Sequence, residues 1–162
     1  MISNKLQDAI NNQIQAEMDS AYIYLAMSVY SADKNLRGFA HWLKTQYTEE
    51  MGHAFKLLTY LSERGGTVKL QAIPAPAAEF GTPVEVFEAV LAHEIHITSL
   101  ITKLYELAVE EKDYAAQIFL QWFIEEQVEE EGNATTILER LKMVGNSNGS
   151  LLYIDKELGK RA

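Results

Sequence analysis

Proline occurs at only three positions, Pro74, Pro76 and Pro83, and with Gly65, Gly66 and Gly81 these gather the strongest backbone breakers of the first 110 residues into one segment. Long, uninterrupted helical patterns lie on both sides of it. They read as helices over about residues 4–32, 36–63, 83–111 and 114–143, with a short fifth at about 148–158 after GNSNGS. The third start is the best marked: Thr82 can cap, Pro83 suits the first helical position and Glu85 completes a capping box. Short joints make the first and last pairs antiparallel hairpins. The middle joint has about 18 residues, enough when extended to reach about 59 Å and run the length of a long helix. The fold class predicted is all-α, a four-helix bundle with one long crossover.

The chain has 162 residues, 48% of them hydrophobic, which suits one domain over 1–162 with a full core. A net charge of −9 argues against nucleic-acid or anionic-membrane partners and suits a protein that attracts cations. With no cysteine there is no disulfide, thiolate zinc site or cysteine-held iron–sulfur cluster. MISNKLQDAI lacks the apolar run of a secretory signal, and no stretch approaches the roughly 18 apolar residues of a membrane span, so a cytoplasmic location is expected.

Alternating three- and four-residue steps trace the seam each helix turns toward the core. They give Leu6, Ile10, Ile14, Glu17, Ala21, Tyr24 and Ser28 in the first helix, and Phe39, Leu43, Gln46, Glu50, His53, Leu57 and Tyr60 in the second. The third reads Val84, Phe87, Leu91, Glu94, Thr98, Ile101 and Tyr105; the fourth reads Ala116, Leu120, Phe123, Gln127, Glu130, Ala134, Ile137 and Leu141. Glutamates therefore sit where apolar residues belong. The halves also repeat at an offset of 77 residues, pairing Glu17 with Glu94, Glu50 with Gln127, His53 with Glu130, and Glu49 with Glu126. Within each half the joint falls midway between the first carboxylate and the later i,i+3 pair, so all six groups converge on one layer.

Four carboxylates cannot be buried together without a cation. Carboxylates with one imidazole suit iron or manganese, and i,i+3 spacing lets two side chains of one helix reach adjacent ions, so two glutamate-bridged ions are the natural inference. The stretch FIEEQVEEEGNA makes the same point, with no lysine or arginine between Lys112 and Arg140 to offset its charge.

On these residues, and on FLQWFIEEQVEEE and LLYIDKELGK, the sequence resembles the ferritin family along nearly its whole length, specifically the non-haem ferritins of bacteria and archaea. Ferritin-like di-iron bundles are built on this Glu plus Glu-x-x-His construction. The resemblance implies that Glu17, Glu50 and His53 hold one iron of a ferroxidase centre, with Glu94 and Glu130 serving a second and Glu50 bridging. Gln127 is either a ligand or a donor that orients one. The resemblance places Tyr24 beside the centre as an electron donor and hydrogen-bond partner. It suggests a third iron site of Glu49, Glu126 and Glu129 sharing Glu130, and leaves Glu125 and Glu131 for solvent or neighbouring subunits.

It further implies a homo-oligomeric shell of twenty-four subunits that oxidises Fe(II) with O2 or H2O2 and stores ferric oxyhydroxide. Bacterioferritins and rubrerythrins carry a second Glu-x-x-His where this chain has Gln127-Val128-Glu129-Glu130, which favours iron passing onward over a permanent di-iron cofactor. Haem at Met51 is not expected, since a surface methionine is more often simple packing. A DNA-protecting mini-ferritin is the rival from another class, disfavoured by the absence of a basic arm. His93 and His96 flank Glu94 but point about 100° and 200° away around the helix and are expected in surface or interface roles, and Trp42 and Trp122 in packing.

Overall fold

In the computed structural model, which describes all 162 residues, the chain is helical: α1 Asn4–Asp33, α2 Arg37–Glu63, α3 Pro83–Glu110, α4 Tyr114–Val144 and α5 Asn148–Leu158. The boundaries fall within a residue or so of the sequence reading. Ser3, Thr82, Asp113 and Ser147 cap α1, α3, α4 and α5, each side chain accepting a backbone N–H of the first turn; at α3 the capping box with Glu85 is complete. The start of α2 has no such residue, and Leu36 offers no side-chain acceptor. Its cap comes from α5, where Asp155 Oδ1 accepts from Phe39 N at 3.0 Å. Gly38 permits the approach, since a Cβ there would lie 1.6 Å from the Asp155 carbonyl oxygen.

Both hairpins turn on a residue in the left-handed region, Asn35 at φ 61° and Lys112 at φ 56°. These two are also 77 residues apart, so the internal repeat extends to the turns. Arg64, closing α2, makes two hydrogen bonds of 3.1 and 2.8 Å to the Asp113 carboxylate that caps α4, tying the second helix to the fourth.

The crossover follows α1 through an i,i+4 stripe of amides. Gln7 accepts from Thr67 N, Asn11 donates to the Thr67 carbonyl and accepts from Lys69 N, and Gln15 donates to the Ala72 carbonyl, all at 2.7–3.0 Å. Near the far end Tyr30 donates to the Gly81 carbonyl at 2.8 Å. The segment thus runs parallel to α1 and delivers α3 antiparallel to it.

Predicted seams in α1 and α4 are buried at every position, and in α2 at all but Tyr60, which is half-buried. In α3 the expectation took the wrong phase. The buried track is Phe87, Val90, Glu94, Ile97, Ile101, Leu104 and Ala108, whereas Val84, Leu91, Thr98 and Tyr105 are half-buried. Both tracks alternate three- and four-residue steps and share Phe87, Glu94 and Ile101. In so apolar a helix, only packing against the other helices chooses between them.

The apolar core is in two parts. One, around Tyr24, Phe39, Trp42, Phe87 and Leu138, lies toward the α1–α2 turn and α5; the other, around Leu6, Ile14, Leu57, Ile101 and Leu120, lies toward the opposite end. A polar layer separates them.

Candidate metal centre

Every helix of the bundle contributes to that layer: Glu17 from α1, Glu50 and His53 from α2, Glu94 from α3, and Gln127 and Glu130 from α4, all buried. One ligand-capable atom from each of Glu17, Glu50 and His53 falls within 4.8 Å of the others. His53 Nδ1 lies 3.8 Å from Glu17 Oε2 and 3.5 Å from Glu50 Oε2, separations that transmit charge without a tight hydrogen bond. The second set lies across the layer. Tyr24 donates its phenolic hydrogen to Glu94 Oε1, Gln127 Nε2 donates to Glu94 Oε2 at 3.2 Å, and Gln46 Nε2 donates to Glu130 Oε2 at 2.9 Å.

The electrostatics are those of buried carboxylates crowded around one imidazole. Burial pushes Glu50 well above the ordinary carboxylate range, with the charges of Glu17 and Glu94 adding to it. Burial likewise raises Glu94, and raises Glu130 to about 7 with help from Glu94. Burial pulls the His53 imidazole down, but Glu17 and Glu50 outweigh it and push it up to about 11. Tyr24 is held well above the usual phenol range, by burial first and then by Glu94 and Glu50.

Glu17 Oε2 and Gln46 Oε1 are buried without a hydrogen-bond partner. Unsatisfied buried acceptors cost about 1–3 kcal/mol each. An oxygen so placed beside Glu50 and His53 fits a hard or borderline cation taking carboxylate and imidazole ligands.

At the edge of the layer, Glu126 is half-buried with Oε1 3.9 Å from His53 Nε2, Glu129 is exposed, and Glu49 is half-buried. Glu49 has a partner that the sequence did not suggest. Arg161 Nη2 lies 2.5 Å from Glu49 Oε2, its guanidinium covers the Trp42 ring at 4.5 Å, and its carbonyl accepts from His41 Nε2 at 2.7 Å. Glu131 is half-buried and accepts from Thr98 Oγ1 at 2.5 Å, an attachment inside the chain that the sequence reading did not assign it.

His93 is half-buried and not at the open surface, with Nε2 2.7 Å from Ser20 Oγ and its ring edge-on to Tyr24 at 6.2 Å; His96 is exposed. Trp122 packs edge-on against His53 at 5.3 Å, and Lys56 Nζ sits 3.4 Å above its ring.

Two further glutamines, Gln13 outside the predicted seam and Gln46 within it, are buried at the layer. Gln13 Nε2 donates to Glu17 Oε1 at 2.7 Å. Its signal was a polar residue one turn before a seam glutamate. A cavity of about 460 Å³ between α4 and α5, lined by Ile137, Met143 and Tyr153 among others, includes none of the centre's residues. No helix is long and apolar enough to cross a membrane.

The ferritin-like domain family matches residues 7–144. A bacterial non-heme ferritin of Bacteroides fragilis is 47% identical over 161 residues, 99% of this chain and 100% of that protein. A probable bacterial non-heme ferritin-like protein of Haemophilus influenzae is 42% identical, covering 98% and 96%. Among solved structures, an open pore ferritin from Archaeoglobus fulgidus superposes with a TM-score of 0.99 at 46% identity over the full length of both chains.

Proposed function

The chain belongs to the ferritin family, and from that premise we propose that it stores and detoxifies iron, oxidising Fe(II) to Fe(III) at the polar layer and holding the product as ferric oxyhydroxide within a shell. The observation that carries this reading is the buried Glu17, Glu50 and His53 group, whose ligand atoms lie within 4.8 Å of one another. On this reading Glu17 and His53 hold one Fe(II), Glu94 and Glu130 the other, and Glu50 reaches both. Gln127, already donating to Glu94, acts by orienting it.

Two Fe(II) give up two electrons, which with two protons reduce H2O2 to water or O2 to H2O2. Carboxylate ligands favour the oxidised ions by their charge. Tyr24 is the further electron donor: its hydroxyl already donates to Glu94, so an electron leaving the ring passes its proton along that bond. Glu49, Glu126 and Glu129, with Glu130 shared, form the third iron site through which Fe(III) leaves, and Arg161 is the resident counter-ion on Glu49. We take the chain as a single domain that acts in the cytoplasm, in a homo-oligomer of twenty-four copies with neither nucleic-acid nor membrane partners. Haem has no part in it.

The test is anaerobic Fe(II) titration followed by O2 or H2O2, tracking Fe(III) absorbance and iron retained by the large particle. Rapid oxidation of two irons per subunit, abolished by Glu50→Ala or His53→Ala, is expected. Full rapid oxidation in both variants would sink the assignment.

A further inference from the structure

Three of the four central carboxylates are each held by one glutamine, and the fourth is not. Gln13 Nε2 donates to Glu17 Oε1 at 2.7 Å, Gln46 Nε2 to Glu130 Oε2 at 2.9 Å, and Gln127 Nε2 to Glu94 Oε2 at 3.2 Å. Glu50 receives no such donor; its near neighbour is His53 at 3.5 Å. All three glutamines are buried, Gln46 completely.

The choice of an amide is informative. Lysine or arginine would hold a carboxylate more strongly but would leave a permanent cation competing with metal. An amide fixes the oxygen while adding no formal charge. It also fixes the amide's own direction: with Gln46 Nε2 on Glu130, Oε1 must face away, and it is left without a partner inside the core. An arrangement that leaves a buried acceptor unpaired costs stability, which sets a positioning role against mere packing.

Gln13 and Gln46 also break the repeat. The residues 77 positions beyond Gln13 and Gln46 are Val90 and Phe123, both apolar. The two halves of the centre are therefore supported differently, Glu17 from its own helix and Glu130 from across the bundle.

We propose that Gln13 and Gln46 are positioning residues for separate metal ions, Gln13 through Glu17 for the first and Gln46 through Glu130 for the second, while Glu50 is left unrestrained because it must reach both. This rests on the dinuclear reading above.

The test is anaerobic Co(II) binding to the assembled protein, followed by calorimetry and by the visible absorption of each bound ion. Wild type should bind two Co(II) per subunit at the central layer in two resolvable steps, ahead of any weaker binding at Glu49, Glu126 and Glu129. Gln46→Met, similar in volume but without the donor, should weaken one step by about tenfold or more, and Gln13→Met the other. Where Gln46→Met folds poorly, Gln46→Asn, which keeps the amide but falls one methylene short of Glu130, should itself weaken the same single step by about tenfold. In a Glu130→Ala background Gln46→Met should change Co(II) binding less than about twofold, because its route of action is gone. Two wild-type steps that stay within about twofold in Gln46→Met and Gln13→Met overturn the proposal and spare the dinuclear reading. So does an equal loss at both steps that persists without Glu130. Fewer than two Co(II) per subunit in wild type overturns both.

Discussion

Loading the centre with a redox-inert divalent ion should expel protons, because coordination needs a neutral imidazole and ionised carboxylates. At pH 7 His53, pushed up to about 11, carries a full proton, and Glu130, raised to about 7, carries half of one. Together they release about 1.5 protons per subunit, a floor because Glu50 and Glu94 are raised as well. Linkage then makes the apparent affinity climb about 30-fold per pH unit near neutrality. By pH 9 Glu130 is already ionised, so its share vanishes and about one proton from His53 remains.

The apo protein should show the opposite trend. Both groups have folded-state values above their unfolded ones, so each contributes stability that is full below the unfolded value and lost as pH rises. For Glu130 the loss runs from about 4.5 to about 7, on the order of 3 kcal/mol at most, and for His53 from about 6.5 toward 11. Apo protein should melt lower at pH 8.5 than at pH 5.5, and Zn(II)-loaded protein should reverse that order. Calorimetry in buffers of different ionisation enthalpy counts the protons, and His53→Ala should remove about one of them. Fewer than about half a proton released at pH 7, with an affinity indifferent to pH, would refute the reasoning: the layer would then be charged before metal arrives.

Three further perturbations address other parts of the structure. Arg161→Ala strips Glu49 of its counter-ion, so metal binding beyond two ions per subunit should strengthen several-fold, read by equilibrium dialysis with Zn(II); unchanged binding would mean that Arg161 does not compete with metal there. Gly38→Ala should cost about 3 kcal/mol and raise hydrogen exchange throughout α5, since a Cβ meets the Asp155 backbone and also spoils the cap on Phe39; a melting temperature within 2 °C or so of wild type would count against that. Lys112→Gly should stabilise by about 0.5–1 kcal/mol in chemical denaturation by relieving the left-handed backbone at φ 56°, a gain that Asn35→Gly, starting from a residue tolerant of that region, should not match.

How far the sequence reaches is clearest in the pairs it treats alike. Glu17 and Glu94, equivalent in the repeat, were both legible as buried because a charged residue interrupts an apolar seam, a signal that periodicity exposes without any neighbour being known. The phase of α3 was not legible, because two tracks of equal spacing are both apolar and the decision belongs to the helices it packs against. Gln46 stood in the predicted seam, yet its bond to Glu130 spans 84 residues and joins helices whose mutual rotation no local pattern encodes. The Arg161–Glu49 pair spans 112 residues and depends on α5 docking through Gly38, a contact whose one sequence trace is a glycine near the start of a helix.

The division is physical. Burial is written into the period of one helix, whereas partnership depends on how helices sit against each other. The charge excess of FIEEQVEEEGNA falls between the two. Its surplus of glutamates was visible, but Glu130 going to Gln46, Glu131 to Thr98 and Glu126 toward His53 required the bundle. Since two of those three contacts are neutral donors and the third is a group that must shed its proton to bind metal, the cation this stretch lacks is not provided by its neighbours. On the proposed function, a metal supplies it.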